Sequence, residues 1–70
     1  MDIKQLKTFA VLAKEKNYIK AVEVLNYAPS TLAKHVHALE NEFNTTLVEF
    51  SNGSIQLTPQ GTKFLEYALE

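Results

Sequence analysis

The sequence predicts a mainly α-helical domain that carries one small β-hairpin. Three observations point to this fold class. Apolar residues recur at three- and four-residue spacing from Ile3 to Phe43, the period of helices buried on one side. Around Ser51-Asn52-Gly53-Ser54 the pattern changes to short β-prone runs, and Asn-Gly tolerates the positive φ that a hairpin turn needs. Thr58-Pro59 then has the chemistry of a new helix start, a hydroxyl N-cap followed by proline in the first turn.

Each element can be justified in order. Asp2 is a good N-cap for a first helix, with Ile3, Leu6, Phe9, Ala10 and Ala13 expected on its buried face. Lys4, Lys7 and Lys14 lie off that face, and Lys16-Asn17 ends the helix. Asn17 then caps a short second helix, roughly Tyr18 to Leu25, whose inward residues are Tyr18, Ala21, Val22 and Leu25. Ala21 is small enough to let two helices approach closely. Asn26-Tyr27 forms a tight connection to a third helix, about 29–43. There Leu32, Val36, Leu39 and Phe43 make one apolar stripe. Ser30, Lys34, His37 and Asn41 recur at the same spacing half a turn away, on a polar outer face.

Asn44 suits a left-handed C-cap. Leu47-Val48-Glu49-Phe50 and Ile55-Gln56-Leu57 read as the two strands. A two-stranded hairpin does not stand alone in water, so it must lean on the helices, through Leu47, Ile55 and Leu57. The last helix turns Phe64, Leu65, Ala68 and Leu69 inward. It is expected to be still running at Glu70, as in a cut through a longer protein.

Composition narrows the function classes. Seventy residues make one domain, and an apolar content of 46% is ordinary for a folded chain. With no cysteine, neither a disulfide nor a thiolate metal site can supplement the core. There is no apolar run of signal-peptide length at the start, and nothing near the roughly 20 apolar residues that span a bilayer. The simplest reading is intracellular, in the cytoplasm. Catalysis finds no support. There are no paired carboxylates beside a His, no Gly-rich phosphate loop and no metal-ligand spacing, so neither an enzyme nor a cofactor is expected. His35 and His37, two apart on a helix, point to different sides and cannot share a metal. Glu40 and Glu42 read as solvated.

The net charge of −1 hides an asymmetry. Up to Leu39 six Lys stand against Asp2, Glu15 and Glu23, a balance of +3; from Glu40 onward one Lys stands against five Glu, a balance of −4. All seven cations are Lys. Any basic face must come from the first half, and its weak field predicts a shallow salt dependence for nucleic-acid binding.

A short helix, a brief turn and a longer helix make a helix-turn-helix, and the hairpin beside it makes a winged helix-turn-helix: a three-helix core, a two-stranded wing and the start of a further helix. A helix buried on one face, with small hydrogen-bonding residues at its outward N-terminus, fits a DNA major groove. From the residues alone, Lys34 reads as a phosphate or guanine contact, against a merely solvated Lys. Lys20 and His37 read as phosphate contacts, with Lys4 or Lys7 further candidates. Asn52 and Ser54 on the wing would graze the minor groove or backbone, although plain turn chemistry explains them equally. Ser30 and Thr31 would bond phosphate or a base edge, or else satisfy first-turn N–H groups that Ala28 cannot cap. His35 reads as a boundary residue. Tyr18 and Tyr27 read as core-edge aromatics rather than base-stacking platforms.

The residues also match a known family. The opening Met-Asp-Ile-Lys-Gln-Leu-Lys-Thr-Phe, then Asn17-Tyr18-Ile19-Lys20-Ala21-Val22 through Leu25, resembles the N-terminal DNA-binding domain of LysR-type transcriptional regulators. So does Ala28-Pro29-Ser30-Thr31-Leu32-Ala33-Lys34-His35-Val36 with Leu39-Glu40 (its recognition helix), followed by Leu47-Val48-Glu49-Phe50, Leu57-Thr58 and Gly61. The resemblance implies sequence-specific binding of double-stranded DNA in bacterial transcription regulation. It implies base and phosphate contacts at Pro29, Ser30, Ala33 and Lys34, with Thr31 and the wing tip nearby. It divides the chain into a DNA-binding domain, 1–58, and the start of a linker helix, 59–70, through which a homodimer would form. A small-molecule effector would bind only in a further domain that this chain lacks. The chain departs from its relatives in having Ala28 and Ala33 where polar residues are common, and Lys34 and Phe50 where Arg is common. Lys grips guanine less rigidly than Arg does. The low basic charge keeps an alternative in view: a winged-helix protein-interaction or dimerisation module with weak or no DNA binding.

Overall fold

Three capped helices, a hairpin and a fourth helix follow one another through very short connections. The structure, a computed structural model, describes residues 2–52 and 54–68. Helix α1 spans Ile3–Glu15, α2 Tyr18–Leu25, α3 Pro29–Phe43 and α4 Pro59–Ala68; strands β1, Val48–Ser51, and β2, Ser54–Leu57, lie between α3 and α4.

The helix boundaries follow from local chemistry. The Gln5 N–H donates to Asp2 Oδ1 at 2.8 Å, and the Asp2 N–H donates to Gln5 Oε1 at 3.3 Å, a reciprocal capping box. The Lys20 N–H donates to Asn17 Oδ1 at 3.0 Å. Lys16, Asn26 and Asn44 end α1, α2 and α3 in the left-handed conformation, with φ of 55°, 58° and 52°. Asn tolerates this region better than most side chains. Ala28 supplies no side-chain cap to α3, but Pro29 lacks the N–H that would need one. Thr58 acts in both directions: its hydroxyl donates to the Thr46 carbonyl at 2.6 Å and accepts from the Gly61 N–H at 2.9 Å.

The strands pair antiparallel with Val48 opposite Leu57 and Ser51 opposite Ser54. Asn52, at the turn, has φ of 50°. The core comprises Phe9, Leu12, Ala21, Leu32, Val36, Leu39, Leu47, Val48 and Ile55. α1 lies at its centre, packed against α2, α3, β2 and α4. The Phe64 ring of α4 meets Phe9 edge-on at 5.2 Å and Phe43 at 5.0 Å.

Several expectations need correction. Ile3 is 82% exposed, because a first-turn side chain lies over the turn before it, beyond the reach of neighbouring elements. Thr8 and Leu12 are buried on α1 in addition to Phe9 and Ala13. Phe43, at the far end of the α3 stripe, is 41% exposed, with the Phe64 ring of α4 against it. Val48 joins Leu47 and Ile55 as a buried wing anchor. On α4, Phe64 and Leu65 are half-buried while Ala68 is exposed; Leu69, and the expectation that the helix continues to Glu70, lie outside the described residues.

Candidate nucleic-acid interface

α3 separates its two faces cleanly. Leu32, Val36 and Leu39 are at most 2% exposed. Ser30, Lys34, His37 and Asn41, at helical spacing on the opposite side, are all exposed. Pro29 is also exposed, and Thr31 and Ala33 are half-buried at the edges of that face. α3 is held against α1 by apolar packing and by a polar contact, His35 Nδ1 with the hydroxyl of the fully buried Thr8 at 2.8 Å. The Tyr27 ring meets His35 edge-on at 5.4 Å. His35 is therefore a packing residue between the two helices.

Lys20 projects into solvent from the first turn of α2. The wing comes to the same end of α2: Ser54 forms a β-bridge with Asn17, and the Ile55 N–H donates to the Lys16 carbonyl at 3.1 Å. Asn52 and Ser54 are exposed. The fold thus gathers Pro29, Ser30, Lys34 and His37 along α3, and joins both Lys20 and Ser54 to Asn17. Asn52 lies at the turn of the hairpin, two residues from Ser54.

Two residues matter more than sequence reasoning allowed. Glu40 is bound: its Oε2 accepts from the Leu47 N–H at 2.8 Å and the Val48 N–H at 3.3 Å, joining α3 to the root of the wing. Tyr18 is more than a core-edge aromatic. Its hydroxyl donates to the Pro29 carbonyl at 2.6 Å, and its ring meets Phe50 of β1 edge-on at 5.6 Å. Desolvation raises the Tyr18 phenol above its ordinary pKa of 10.0. Nothing local in the sequence announces either contact. The Glu40 bonds reach seven and eight residues ahead, and the Tyr18 contacts eleven and thirty-two.

Among the described residues, no helix is long and apolar enough to cross a membrane. No cluster of three His, Asp or Glu side chains could hold a metal ion there.

A bipartite helical unit with an outward polar face, flanked by a two-stranded wing, defines a winged helix-turn-helix domain. Residues 3–62 match the model of the bacterial regulatory helix-turn-helix proteins of the lysR family, and the chain belongs to that family. The HTH-type transcriptional regulator CitR of Bacillus subtilis (strain 168) is 41% identical over 69 residues, 99% of this chain and 24% of CitR. YcgK, an uncharacterised HTH-type transcriptional regulator of the same strain, is 40% identical over 68 residues, 97% of this chain and 21% of YcgK. The chain thus spans between a fifth and a quarter of the length of these curated relatives. Among solved structures, the CbnR DBD–DNA complex superposes with a TM-score of 0.92 at 33% identity, covering 99% of this chain and 79% of that one. The BenM DBD/catB site 1 DNA complex gives 0.90 at 29% identity, covering 99% and 78%. These relatives are regulators rather than enzymes.

Proposed function

We propose that this chain is the DNA-reading part of a bacterial LysR-type transcriptional regulator, binding double-stranded DNA sequence-specifically with α3 in the major groove. The observation that carries the reading is the division of α3 into a buried Leu32–Val36–Leu39 stripe and an exposed Ser30–Lys34–His37 face. Two solved relatives of the same fold are DNA complexes, which supports DNA binding over the interaction-module alternative.

In this reading Pro29, Ser30, Thr31 and Ala33 bring the first turns of α3 against base edges and phosphate. Lys34 reaches a guanine or a phosphate, and His37 and Lys20 touch backbone phosphate. Asn52 and Ser54 carry the wing to the adjacent groove. Residues 1–58 form the DNA-binding domain, and 59–70 open a linker helix through which two protomers pair. Pairing would set two α3 helices about one helical turn of DNA apart. The regulator acts in the cytoplasm, and any small-molecule effector is bound by a separate domain of the whole protein.

The test is a fluorescence-anisotropy titration with duplexes selected by the chain from a random library, repeated across salt concentrations. Lys34→Ala should weaken binding by about 1–3 kcal/mol if the contact is to a base, with relaxed specificity at that position. If the contact is to phosphate alone, the loss is smaller and the salt slope falls by about 1. With Lys20 and Lys34 as the charged contacts, the wild-type slope should be near −2 per protomer, at about −0.9 per neutralised phosphate. Unchanged affinity in Lys34→Ala removes that residue from the interface. A wild-type chain that selects no duplex removes the DNA-binding reading altogether.

A further inference from the structure

Besides the shared apolar core, two links orient the wing on α3. One is the Glu40 carboxylate, beneath the wing's root. The other is indirect and lies at the opposite end of α3, where the face proposed to read DNA begins. There Tyr18 stands between the two elements, its hydroxyl on the Pro29 carbonyl at 2.6 Å and its ring against Phe50, a residue 53% exposed on β1. The backbone of Tyr18 is itself fixed, since Asn17 caps α2 and bridges to Ser54 of the wing. Phe50 carries no charge or hydrogen-bonding group that could hold a phosphate. The contact it does make is with the Tyr18 ring. An edge-to-face aromatic pair has a preferred geometry, so it orients the wing as well as attaching it. The phenol does the same for the first turn of α3, a turn that has no side-chain cap of its own.

We propose that Tyr18 is a positioning residue for DNA recognition: by holding the Pro29 carbonyl and the Phe50 ring together, it fixes the angle between the wing and the N-terminus of α3. The proposal rests on the reading that the chain binds DNA. Its consequence concerns discrimination more than grip. Phosphate contacts act at any sequence, whereas base contacts and groove shape require the two elements in one register. Loosening Tyr18 therefore lowers affinity for the selected site while leaving random duplex almost untouched.

The experiment compares wild type, Tyr18→Phe, Phe50→Leu and the double variant on a selected duplex and on a random duplex at one salt concentration, with thermal melts alongside. Tyr18→Phe keeps the ring and removes only the hydroxyl, so it retains the fold. The expected result is an affinity for the selected duplex about three- to tenfold weaker, the fold-change that one net hydrogen bond is worth. Random-duplex affinity should stay close to wild type, and the melting temperature should fall by no more than about 4–8 °C, what one net hydrogen bond is worth to a domain of this size, which leaves the variant folded at the assay temperature. Phe50→Leu should act in the same direction, and the double variant should lose less than the product of the single losses, because both substitutions break one connection. An unchanged ratio of selected to random affinity in Tyr18→Phe overturns the proposal while leaving DNA binding intact. Equal losses on both duplexes, or a lowered melting temperature that accounts for the loss, also overturn it by showing a purely structural role. A wild-type chain that selects no duplex overturns this proposal together with the reading beneath it.

Discussion

Gly61 offers the sharpest test of how the hairpin is held against α4. It lies inside the first half of a helix, where Gly is worth about 1 kcal/mol less than Ala, so Gly61→Ala should stabilise an isolated helix. The packing reverses the sign. A Cβ built on Gly61 would lie 3.0 Å from the carbonyl carbon of Leu47 and 3.3 Å from its Cα, with the carbonyl oxygen closer still. Ordinary van der Waals contact needs about 3.5–4.0 Å, and the carbonyl oxygen is the nearest atom, so the two backbones must part by more than about an ångström. Neither is free to move. The Leu47 carbonyl accepts from the Thr58 N–H at 3.0 Å, and its N–H donates to Glu40 at 2.8 Å. The Gly61 N–H is itself committed to Thr58 Oγ1. Overpacking costs about 1–3 kcal/mol where side chains can yield and more where they cannot, and the helix gain of about 1 kcal/mol is set against it. A net loss of about 2 kcal/mol follows, which for a domain of this size lowers Tm by about 8–16 °C. Circular-dichroism melts and urea titrations of wild type and Gly61→Ala measure it. A variant as stable as wild type, or more stable, would show that α4 does not rest on the Leu47 backbone as described.

Two further outcomes follow from the same contacts. Glu40→Ala leaves the N–H groups of the buried Leu47 and Val48 without their carboxylate and should cost about 2 kcal/mol, whereas Glu40→Gln keeps an acceptor and should cost clearly less; urea denaturation distinguishes them, and equal losses would mean the charge matters more than the bond. The raised phenol pKa of Tyr18 has a definite sign: the folded state holds its proton more tightly, so this contribution is fully present below the unfolded value near 10 and is lost as pH rises above it. Tyr18→Phe should accordingly lose less stability than wild type between pH 9 and the alkaline range above about 10, as Tm measured against pH would show.

Most of the fold was legible because it rests on short-range chemistry. Asp2, Asn17, Asn44 and Thr58 are cap residues whose partners lie within three or four positions, and each caps where its type implied. The Leu32–Val36–Leu39 stripe is a periodic signal, and periodicity tells which face of a helix meets a core without saying what the core is. The same limit explains the misplacements at Ile3 and Phe43. Period alone extends a stripe to the helix ends, where the neighbouring elements stop covering it. On the candidate interface, the outward face of α3 was legible for the same reason. Its connections to the wing were not. Glu40 with Leu47, Tyr18 with Pro29 and Phe50, and Gly61 with Leu47 join residues between seven and thirty-two positions apart, and no local pattern marks them. Gly61 alone left a trace, since Gly within a helix is a standing cost that close backbone approach explains.

The charge distribution and the geometry bear on each other. The first 39 residues, which hold α1, α2 and most of α3, carry the positive balance; the wing and α4 fall in the negative remainder. A chain with so few cations in its proposed interface gains little from counterion release, the term that usually dominates protein–DNA affinity. More of its binding must come from contacts that depend on register, and these are lost when the reading elements rotate against one another. The side chains that fix the register therefore matter more here than in a strongly basic homologue. That shifts weight onto Tyr18, Glu40 and Thr58, none of which carries a positive charge, and each of which ties the wing or its root to a helix.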